Sequence, residues 1–569
     1  MLGNQASYSK GDMNEEMLYS TIGDKLSEVA NLHPDNDALV SVYQDVRFTY
    51  REFDKMTDSL AKGLLDIGIN IGDKVGIWAV NCWEWVATQF ATAKIGAILV
   101  NINPAYRTHE LEYALKQSEA SAIVLMDEFK TSKYKEMLLS VCPEIARCEP
   151  GNIETAKLPD LKKAIIIGKE SPGTFEFGSI IERGRKIDGT RLKMLAKTLN
   201  PDDDINIQYT SGTTGFPKGV VLTHFNILNN AYHVGHVLKF TDKDSLCIPV
   251  PFYHCFGMVL ANLMCATAGA TMVVPGPVFE PESVFKAIHA EKCTALHGVP
   301  TMFIAELSHP DIAKYDLSNL RTGIMAGAPC PIETMKDVIS IMNIKDITIG
   351  YGMTEMSPIT TMTRTDDPVE KRVATVGKVM PCQELKIIDP GTEDVLPRGK
   401  QGEICFRGYN TMSRYYNNPE ATADTIDKGR WLHSGDLGTM DEEGYIKITG
   451  RIKEMVIRGG ENLYPREIEE FLLTNEKVMV AYVIGVPDIK YGEEMMAWVL
   501  TYEGETLTEE EIRAFCHGKI THYKVPKYWK FIENFEDIPM TVTGKAQKFK
   551  MRQIAIKELG LEDVGKSKT

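Results

Sequence analysis

A stretch rich in glycine and hydroxyl residues is the feature of this sequence with the clearest chemical meaning. Residues 209–219 read Tyr-Thr-Ser-Gly-Thr-Thr-Gly-Phe-Pro-Lys-Gly, with one basic side chain and no acid. Glycines let a backbone turn with its N–H groups facing inward, and hydroxyls add further donors. Such a concavity between two short strands suits a polyphosphate, with Lys218 as a point charge. The spacing is not that of a Walker A loop, and a flexible connector is the structural alternative.

Three other stretches carry residue types that bind nucleotides. Residues 351–355, Tyr-Gly-Met-Thr-Glu, offer a ring to stack on a base, a hydroxyl for a phosphate and a carboxylate for Mg²⁺. Residues 431–436 place Asp436 on a predicted turn, where it would suit a ribose diol. Residues 539–545 present Lys545 at the tip of a Gly/Thr loop. Each stretch also has an interpretation without nucleotide binding. Residues 351–355 would form a capped strand-to-helix turn, Asp436 would lie on a solvated turn, and Lys545 would be a surface lysine.

Composition indicates a globular protein with more than one domain. A chain of 569 residues is too long for one core, and its 43% hydrophobic and 25% charged residues are ordinary. The formal net charge of −15 argues against a nucleic-acid partner. Eleven cysteines without a Cys-x-x-Cys pair favour reduced thiols in the cytoplasm over disulfides or a zinc site. Residues 1–17 are polar and acidic, so we expect neither a signal peptide nor a transit peptide.

One uncharged segment must be considered as a membrane span. Residues 255–279 contain no charged side chain and are long enough to cross a bilayer as a helix. The segment is interrupted by six residues that disfavour a continuous apolar helix: Asn262, Thr267, Gly269, Thr271, Pro275 and Pro277. We therefore expect a buried helix, a turn and a strand, and no stable membrane span.

The remaining pattern is that of short apolar strands alternating with amphipathic helices. This alternation runs from residue 48 to 126 and resumes after the glycine-rich stretch, which predicts parallel sheets covered on both faces. Residues 142–192 fit no element clearly, and we expect surface loops there. Residues 374–409 change to short strands punctuated by glycine and proline, which predicts a β-rich subdomain. A second boundary lies near residue 450, before a small region of mixed α+β pattern.

The order and wording of these stretches resemble the adenylate-forming superfamily of acyl-CoA synthetases, luciferases and peptide-synthetase adenylation domains. Residues 209–219 match its AMP-binding signature almost letter for letter, and the other motifs follow in the family's order. The resemblance runs from about residue 48 to 552. The group that the sequence resembles most is that of the medium-chain acyl-CoA synthetases, through residues 251–254 and 296–303.

The resemblance implies an α/β fold with two domains. Residues 1–450 would form a large N-terminal domain of stacked α/β subdomains plus a β-rich subdomain. Residues 451–569 would form a small, mobile α+β C-terminal domain that carries the catalytic lysine. The family rotates this domain between its two half-reactions, and Lys453 stands at the hinge position.

The resemblance also assigns roles to individual residues. Tyr351 would stack on adenine, Thr354 would contact the α-phosphate, and Glu355 would ligate Mg²⁺. Asp436 would hold the ribose hydroxyls with Arg451 beside them, and Lys545 would bridge the carboxylate and the nucleotide. The remaining binding residues are those of the phosphate loop, the adenine wall and the CoA tunnel: Thr210, Ser211, Gly212, Thr213, Thr214 and Lys218; Gly327, Ala328 and Pro329; Gly459 and Gly460.

The implied reaction uses ATP, Mg²⁺ and CoA to convert a carboxylic acid to acyl-AMP and then to acyl-CoA. An apolar, adaptable pocket favours a medium-chain or branched fatty acid. Six residues are expected to form its walls: His254, Phe256, Val299, Met302, Met353 and Met356. His254 is also a catalytic candidate.

Two alternatives to that reaction remain open. The enzyme could be an aryl- or alicyclic-acid CoA ligase, or it could form acyl-AMP for an acceptor other than CoA. A non-catalytic nucleotide sensor is disfavoured because Lys545, Glu355 and Asp436 are all present. The sequence leaves the oligomeric state open, with a homodimer as one option.

Overall fold

The computed structural model describes residues 6–169, 171–210, 217–328, 330–459, 461–541, 546–562 and 564. These residues form two compact units. The small unit comprises residues 1–9, 385–405 and 433–569 as far as they are described, and the large unit comprises residues 10–384 and 406–432. The division into domains at residue 450 stays a prediction.

The helices and strands follow one another along the whole chain. The strands are β1 (Tyr8–Lys10), β2 (Asp37–Ser41), β3 (Val46–Thr49), β4 (Lys74–Trp78), β5 (Ile98–Asn101), β6 (Ala122–Met126), β7 (Lys163–Ile167), β8 (Phe175–Glu176), β9 (Asp204–Thr210), β10 (Lys218–Thr223), β11 (Ser245–Cys247), β12 (Thr271–Val274), β13 (Ala295–Gly298), β14 (Thr322–Ala326), β15 (Asp346–Gly352), β16 (Ile359–Met362), β17 (Lys378–Val379), β18 (Gln383–Ile388), β19 (Gly402–Gly408), β20 (Arg414–Tyr415), β21 (Leu432–Met440), β22 (Ile446–Arg451), β23 (Val456–Arg458), β24 (Glu461–Leu463), β25 (Val478–Asp488), β26 (Gly492–Thr501) and β27 (Tyr528–Ile532). The helices are α1 (Ile22–Leu32), α2 (Tyr50–Asp66), α3 (Trp83–Ile95), α4 (Thr108–Gln117), α5 (Tyr134–Val141), α6 (Phe177–Arg185), α7 (Thr190–Ala196), α8 (His224–Val237), α9 (Cys255–Gly257), α10 (Met264–Ala268), α11 (Pro281–Glu291), α12 (Pro300–Leu307), α13 (Ile332–Ser340), α14 (Val369–Ala374), α15 (Pro419–Thr425), α16 (Pro465–Leu472), α17 (Glu509–Cys516) and α18 (Lys548–Glu558).

An eight-stranded sheet in the large unit carries the glycine-rich stretch. Its order is β20-β10-β9-β5-β4-β6-β7-β8. The strands from β9 to β8 are parallel, whereas β10 and β20 are antiparallel additions at one edge. The expectation of surface loops over residues 142–192 was wrong, because β7 and α6 lie there. The apolar core of β7 is only four residues long, and so short a run shows no periodicity.

A nine-stranded sheet forms the other half of the large unit. Its order is β17-β16-β15-β14-β13-β11-β12-β2-β3, and the strands from β15 to β2 run parallel. The uncharged segment becomes α9, a π-helical turn at Met258–Leu263, α10 and then β12, as expected. Among the described residues, no helix is long and apolar enough to cross a membrane.

Local signals in the sequence account for well-formed helices such as α2. The Thr49 hydroxyl accepts from Glu52 N–H in the first turn, and the Glu52 carboxylate accepts from Thr49 N–H, which completes a capping box. Apolar residues at helical spacing then bury one face of the helix, including Phe53, Leu60 and Leu64. Helices anchored in this way cover the sheets and fix the loops at the strand ends.

The small unit contains two sheets. One has the order β1-β18-β19-β21-β22, which confirms the predicted β-rich region. The other has the order β24-β23-β26-β25, with β27 parallel to β26. Helices α16, α17 and α18 accompany this second sheet, and Pro465 lies in the first turn of α16. The mixed α+β character expected after residue 450 is therefore confirmed.

Candidate active site

The glycine-rich stretch connects two antiparallel strands, as the sequence predicts. Thr210 at the end of β9 pairs with Lys218 at the start of β10. Helix α4 braces both ends of the connection, because Tyr113 donates to Pro217 O at 2.9 Å and Tyr209 donates to Ala114 O at 2.9 Å. The predicted phosphate-loop residues Ser211, Gly212, Thr213 and Thr214 lie outside the described residues.

Tyr415 contacts both Lys218, the predicted phosphate-binding lysine, and Glu355, the predicted metal ligand. The Lys218 Nζ atom lies 4.6 Å from the centre of the Tyr415 ring. The Tyr415 hydroxyl donates to Glu355 Oε1 at 2.8 Å. Burial and the neighbouring Glu355 carboxylate raise the pKa of Tyr415, so the phenol stays a donor. A positive and a negative group thus flank one ring, an arrangement suited to a phosphate and its counter-ion.

The Glu355 carboxylate has the chemistry that a magnesium ion requires. Mg²⁺ is a hard cation that takes oxygen ligands and is commonly held by one or two carboxylates together with substrate phosphates. Glu355 is only partly exposed, and its position is fixed because Met412 N–H donates to its backbone oxygen at 2.8 Å. The residues present therefore fit the implied ion.

Thr354 lies next to a buried polar group at the end of β9. The Cys255 thiol donates to Gln208 Oε1 at 3.1 Å, and the Thr354 side chain lies close enough to this thiol to lower its pKa, although burial outweighs that effect. Burial raises the pKa of Cys255, so the thiol stays protonated. Since Gln208 belongs to β9 and Thr354 follows β15, these contacts join the two large sheets at the predicted site.

The two segments predicted to contact adenine share one sheet edge. β14 and β15 are parallel, with Ala326 beside Gly350. Gly327 and Ala328 therefore leave the same edge as Tyr351, and the Tyr351 ring lies 6.1 Å from that of Phe406. Ligands of open α/β sheets bind at the carboxyl ends of parallel strands. Pro329 lies outside the described residues.

The expected walls of the acyl pocket are mostly buried. Phe256, Val299 and Met302 are each less than a tenth exposed, Met356 is fully buried, and Met353 is half-buried. His254 caps α9, since its Nδ1 accepts from Phe256 N–H at 3.3 Å. The Phe256 ring stacks on His297, 5.7 Å away between centres, and burial lowers the pKa of His297 to about 4. The wall is thus apolar and carries a neutral imidazole behind it.

Asp436 and Arg451 form an ion pair within the small unit. They lie opposite each other on β21 and β22, and Arg451 Nε is 2.9 Å from Asp436 Oδ1. The Asp436 side chain is 5% exposed, whereas that of Arg451 is 55% exposed. The prediction of a turn at Asp436 was wrong, because the residue lies inside β21. The Ser-Gly-Asp sequence instead produces a local irregularity, with φ of 69° at Gly435.

The predicted CoA-tunnel and hinge residues also lie in the small unit. Gly459 joins β23 to β24 with φ of 60°, and a Cβ atom there would lie 3.1 Å from the Tyr491 ring. Only glycine meets both conditions without strain. Lys453 lies in a short 3₁₀ turn, Ile452–Glu454, directly after β22. Gly460 and Lys545 lie outside the described residues.

Comparison with known proteins agrees with this geometry. The AMP-binding enzyme family matches residues 26–416, and the AMP-binding enzyme C-terminal domain matches residues 467–545. The chain belongs to the AMP-binding enzyme family. YngI of Bacillus subtilis (strain 168), described by its name as an acyl-CoA synthetase, is 49% identical over 96% of this chain and 99% of its own. The mitochondrial medium-chain acyl-CoA ligase ACSF2 of Danio rerio is 44% identical over 98% of this chain and 91% of its own.

Solved structures of AMP-binding enzymes share the fold over almost the whole chain. The anthranilate CoA ligase AuaEII, in complex with anthranoyl-AMP, has a TM-score of 0.82 at 26% identity and covers 96% of this chain and 99% of its own. ATP-bound MatB from Rhodopseudomonas palustris has a TM-score of 0.82 at 26% identity and covers 95% of this chain and 100% of its own. These relatives confirm the predicted resemblance to acyl-CoA synthetases and the predicted fold.

Sequence reasoning missed several side chains of this AMP-binding enzyme site. Tyr415 lies 60 residues beyond Glu355, in a two-residue strand without a periodic pattern. Gln208 and Cys255 were assigned only to a strand and to an apolar segment. For Gln208, one signal was available, since an amide side chain on a buried strand needs a polar partner.

Proposed function

We propose that this enzyme is an ATP-dependent acid–CoA ligase that acts on a medium-chain or branched fatty acid. The observation that carries the proposal is the placement of Lys218 and Glu355 on either side of the Tyr415 ring, at the base of the glycine-rich connection. The acyl-CoA synthetase and medium-chain ligase relatives support the same activity.

In the first half-reaction, a carboxylate oxygen of the acid attacks the α-phosphorus of ATP. A phosphorus–oxygen bond to the acid forms, the bond to the β-phosphate breaks, and pyrophosphate leaves. Lys218 and Thr354 bind phosphate oxygens. Glu355 would hold Mg²⁺, which would neutralise part of the triphosphate charge. Lys545 binds the carboxylate and the nucleotide together, and Asp436 binds the ribose. Because both reactants are anions, positioning and charge neutralisation supply most of the acceleration.

In the second half-reaction, the CoA thiolate attacks the acyl carbon of acyl-AMP. A carbon–sulfur bond forms, the bond to the phosphate oxygen breaks, and AMP leaves. Gly459 and Gly460 let the backbone approach the pantetheine arm closely. Rotation of the C-terminal domain about Lys453 replaces the Lys545 loop by this glycine segment, as one or two hinge residues can allow.

The substrate class follows from the pocket walls. Phe256, Met302 and Met356 offer apolar, adaptable surface, which suits an alkyl chain. The second candidate function is that of an aryl- or alicyclic-acid CoA ligase, which the similarity to the anthranilate CoA ligase favours. We also propose a cytoplasmic location, supported by eleven free cysteines, eight of them buried.

The decisive experiment measures acid-dependent ATP–pyrophosphate exchange and then CoA-dependent thioester formation. Straight-chain acids of increasing length, branched acids and aromatic acids are compared by kcat/KM. We expect the highest value for a medium-chain or branched acid. A higher kcat/KM for benzoate-type acids would favour the aryl- or alicyclic-acid CoA ligase. Pyrophosphate exchange without thioester formation would indicate an acceptor other than CoA. Absence of exchange with every acid would contradict the proposed function.

A further inference from the structure

A carboxylate from the neighbouring strand holds the backbone beside Ser434. Glu403 lies on β19, and His433 and Gly435 lie on the adjacent β21. Glu403 Oε1 accepts from Gly435 N–H at 3.0 Å, and Oε2 lies 3.0 Å from His433 Nδ1. The Glu403 side chain is 10% exposed, so protein groups have largely replaced its solvation. One buried carboxylate thus binds residues on both sides of Ser434.

Strand β21 departs from regular geometry at the residue before Asp436. Gly435 has φ of 69°, which glycine alone adopts readily. The Ser434 hydroxyl donates to Ile404 O at 2.6 Å and accepts from Asp436 N–H at 3.0 Å. The N–H groups of Gly435 and Asp436 are therefore both bound by side chains. β19 thus supplies two acceptors, Glu403 Oε1 and Ile404 O, that hold the backbone from which the Asp436 side chain leaves.

We propose that Glu403 is a positioning residue for nucleotide binding, which it performs by fixing the Ser434–Gly435 backbone and hence the Asp436 carboxylate. The inference rests on the proposed role of Asp436 at the ribose of ATP. A preorganised carboxylate loses less freedom on binding than a mobile one, so its hydrogen bonds to ribose are stronger. Loss of Glu403 then weakens binding of the ribose hydroxyls and leaves the acid site unchanged.

A metal site is the other chemistry that these residues offer. The ligand atoms of Glu403, Cys405 and His433 all lie within 4.8 Å of one another, and Cys405 Sγ is 3.6 Å from His433 Nδ1. The hydrogen bonds favour positioning instead. A ring nitrogen that donates to Glu403 has no lone pair left for a metal, and Oε1 is already bound to the Gly435 amide.

The test compares ATP with 2′-deoxy-ATP and 3′-deoxy-ATP in acid-dependent pyrophosphate exchange. The variants are Glu403→Ala, Glu403→Gln, Asp436→Ala and the double variant Glu403→Ala/Asp436→Ala. Glu384→Ala is the matched control, because Glu384 is also partly buried but pairs with Arg407. The KM for the carboxylic acid is measured in each variant, and the melting temperature reports on folding.

The wild type is expected to prefer ATP over at least one deoxy analogue by about tenfold or more, as for a hydrogen bond to a charged group. Glu403→Ala should lose most of this preference with the KM for the acid unchanged. Glu403→Gln should keep most of it, since the amide oxygen still accepts from Gly435 N–H. The double variant should lose no more than Asp436→Ala, because the two residues act through one interaction. Glu384→Ala should retain the preference.

A full ATP preference in Glu403→Ala would overturn the positioning role. If that variant does not fold, Glu403→Leu replaces it, because leucine fills similar space but offers no oxygen to the Gly435 N–H group. Loss of the preference in a folded Glu403→Leu beyond that in Glu384→Ala would support the role, and a full preference would overturn it. No preference in the wild type would refute the ribose role of Asp436 itself. Titration of the wild type with Co²⁺ gives a separate outcome, because a thiolate-to-cobalt absorption band that Cys405→Ser removes would show a metal site and overturn the hydrogen-bond interpretation.

Discussion

At the scale of single residues, neighbouring Tyr–Glu pairs give a matched comparison. Tyr415 donates to Glu355 and the next residue, Tyr416, donates to Glu119 Oε2 at 2.6 Å. Both carboxylates accept a phenol hydrogen bond and both rings lie near a lysine, Lys74 for Tyr416 and Lys218 for Tyr415, but only Lys218 begins the strand that follows the glycine-rich stretch. The pairs therefore separate the contribution of a hydrogen bond from that of a charge placed beside the phosphates.

We predict that Glu355→Gln raises the Mg²⁺ concentration needed for adenylation. Glutamine keeps the shape and can still accept from Tyr415, but it lacks the charge that binds a hard cation. The half-saturating Mg²⁺ concentration should rise at least about tenfold, the low end of what even an outer-shell partner contributes to metal affinity. Glu119→Gln is the control and should leave the titration unchanged. Coincident Mg²⁺ curves for Glu355→Gln and wild type would exclude the ligand role.

Glu306 is a buried acid that takes no part in the proposed reaction. It lies on α12 and is 1% exposed, and neither carboxylate oxygen has a hydrogen-bond partner among the described residues. Burial raises its pKa well above the ordinary value of 4.5. Burial therefore favours the protonated form of this side chain in the folded protein.

The raised pKa of Glu306 predicts a loss of stability as the pH rises. The unfolded state releases this proton above about pH 4.5, whereas the folded state holds it up to its higher pKa. Between these values, the group destabilises the fold by about 1.4 kcal/mol per pH unit. Glu306→Gln abolishes the titration, so its melting temperature should rise relative to wild type as the pH is raised above about 4.5. The exposed substitution Glu282→Gln should give a constant offset, and a constant offset for Glu306→Gln would contradict the prediction.

At the scale of elements, one lysine joins three parts of the small unit. Lys548 begins α18, three residues after Lys545 in the chain. Its Nζ lies 2.9 Å from Glu454, which ends the 3₁₀ turn of Lys453, and 2.8 Å from Glu469 of α16. Burial lowers the pKa of Lys548, but the two carboxylates outweigh this effect and hold the pKa above its usual value.

We predict that Lys548→Met strongly destabilises the small unit. Removing one partner leaves two carboxylates that are 12% and 33% exposed without their cation, a change that costs about 3–5 kcal/mol when such a pair is buried. Lys530→Met, which breaks the more exposed pair with Glu558, should cost only about 0–1 kcal/mol. Denaturant unfolding followed by Trp498 and Trp529 fluorescence measures both. Equal shifts for the two variants would refute the buried network.

At the scale of the whole molecule, the proposed alternation of half-reactions separates two lysines. Lys545→Ala should reduce acyl-AMP formation by about 100- to 1000-fold, as for loss of one preorganised charge donor. Supplied with synthetic acyl-AMP and CoA, this variant should form the thioester at close to the wild-type rate. Lys453→Pro should behave oppositely, because a fixed φ at the hinge stalls rotation after adenylation. Equal loss of both half-reactions in both variants would refute the two-conformation mechanism.

Features that depend on residues close together in the sequence were predictable, whereas features that depend on tertiary contacts were not. The β9–β10 connection was predictable because residues 205–209 alternate and glycines follow at once, so all the information is local. Tyr415 was not predictable, since its meeting with Lys218 and Glu355 depends on the tertiary pairing of β20 with β10. Asp436 was misplaced on a turn because Ser-Gly-Asp is typical of turns, whereas the pairing of β21 with β22 keeps it in a strand.

The short strands at the borders of the two large sheets have a consequence for behaviour in concentrated solution. β20 and β8 border one sheet, and β17 and β3 border the other. The first three are two residues long, and β3 is four residues long. A border strand of this length exposes few unpaired amides and carbonyls, so it is a poor template for a strand from another molecule. Self-association by edge pairing is therefore disfavoured in the native state. The long apolar strands can template aggregates only after these borders have come apart, which makes the partly unfolded chain the species prone to aggregation.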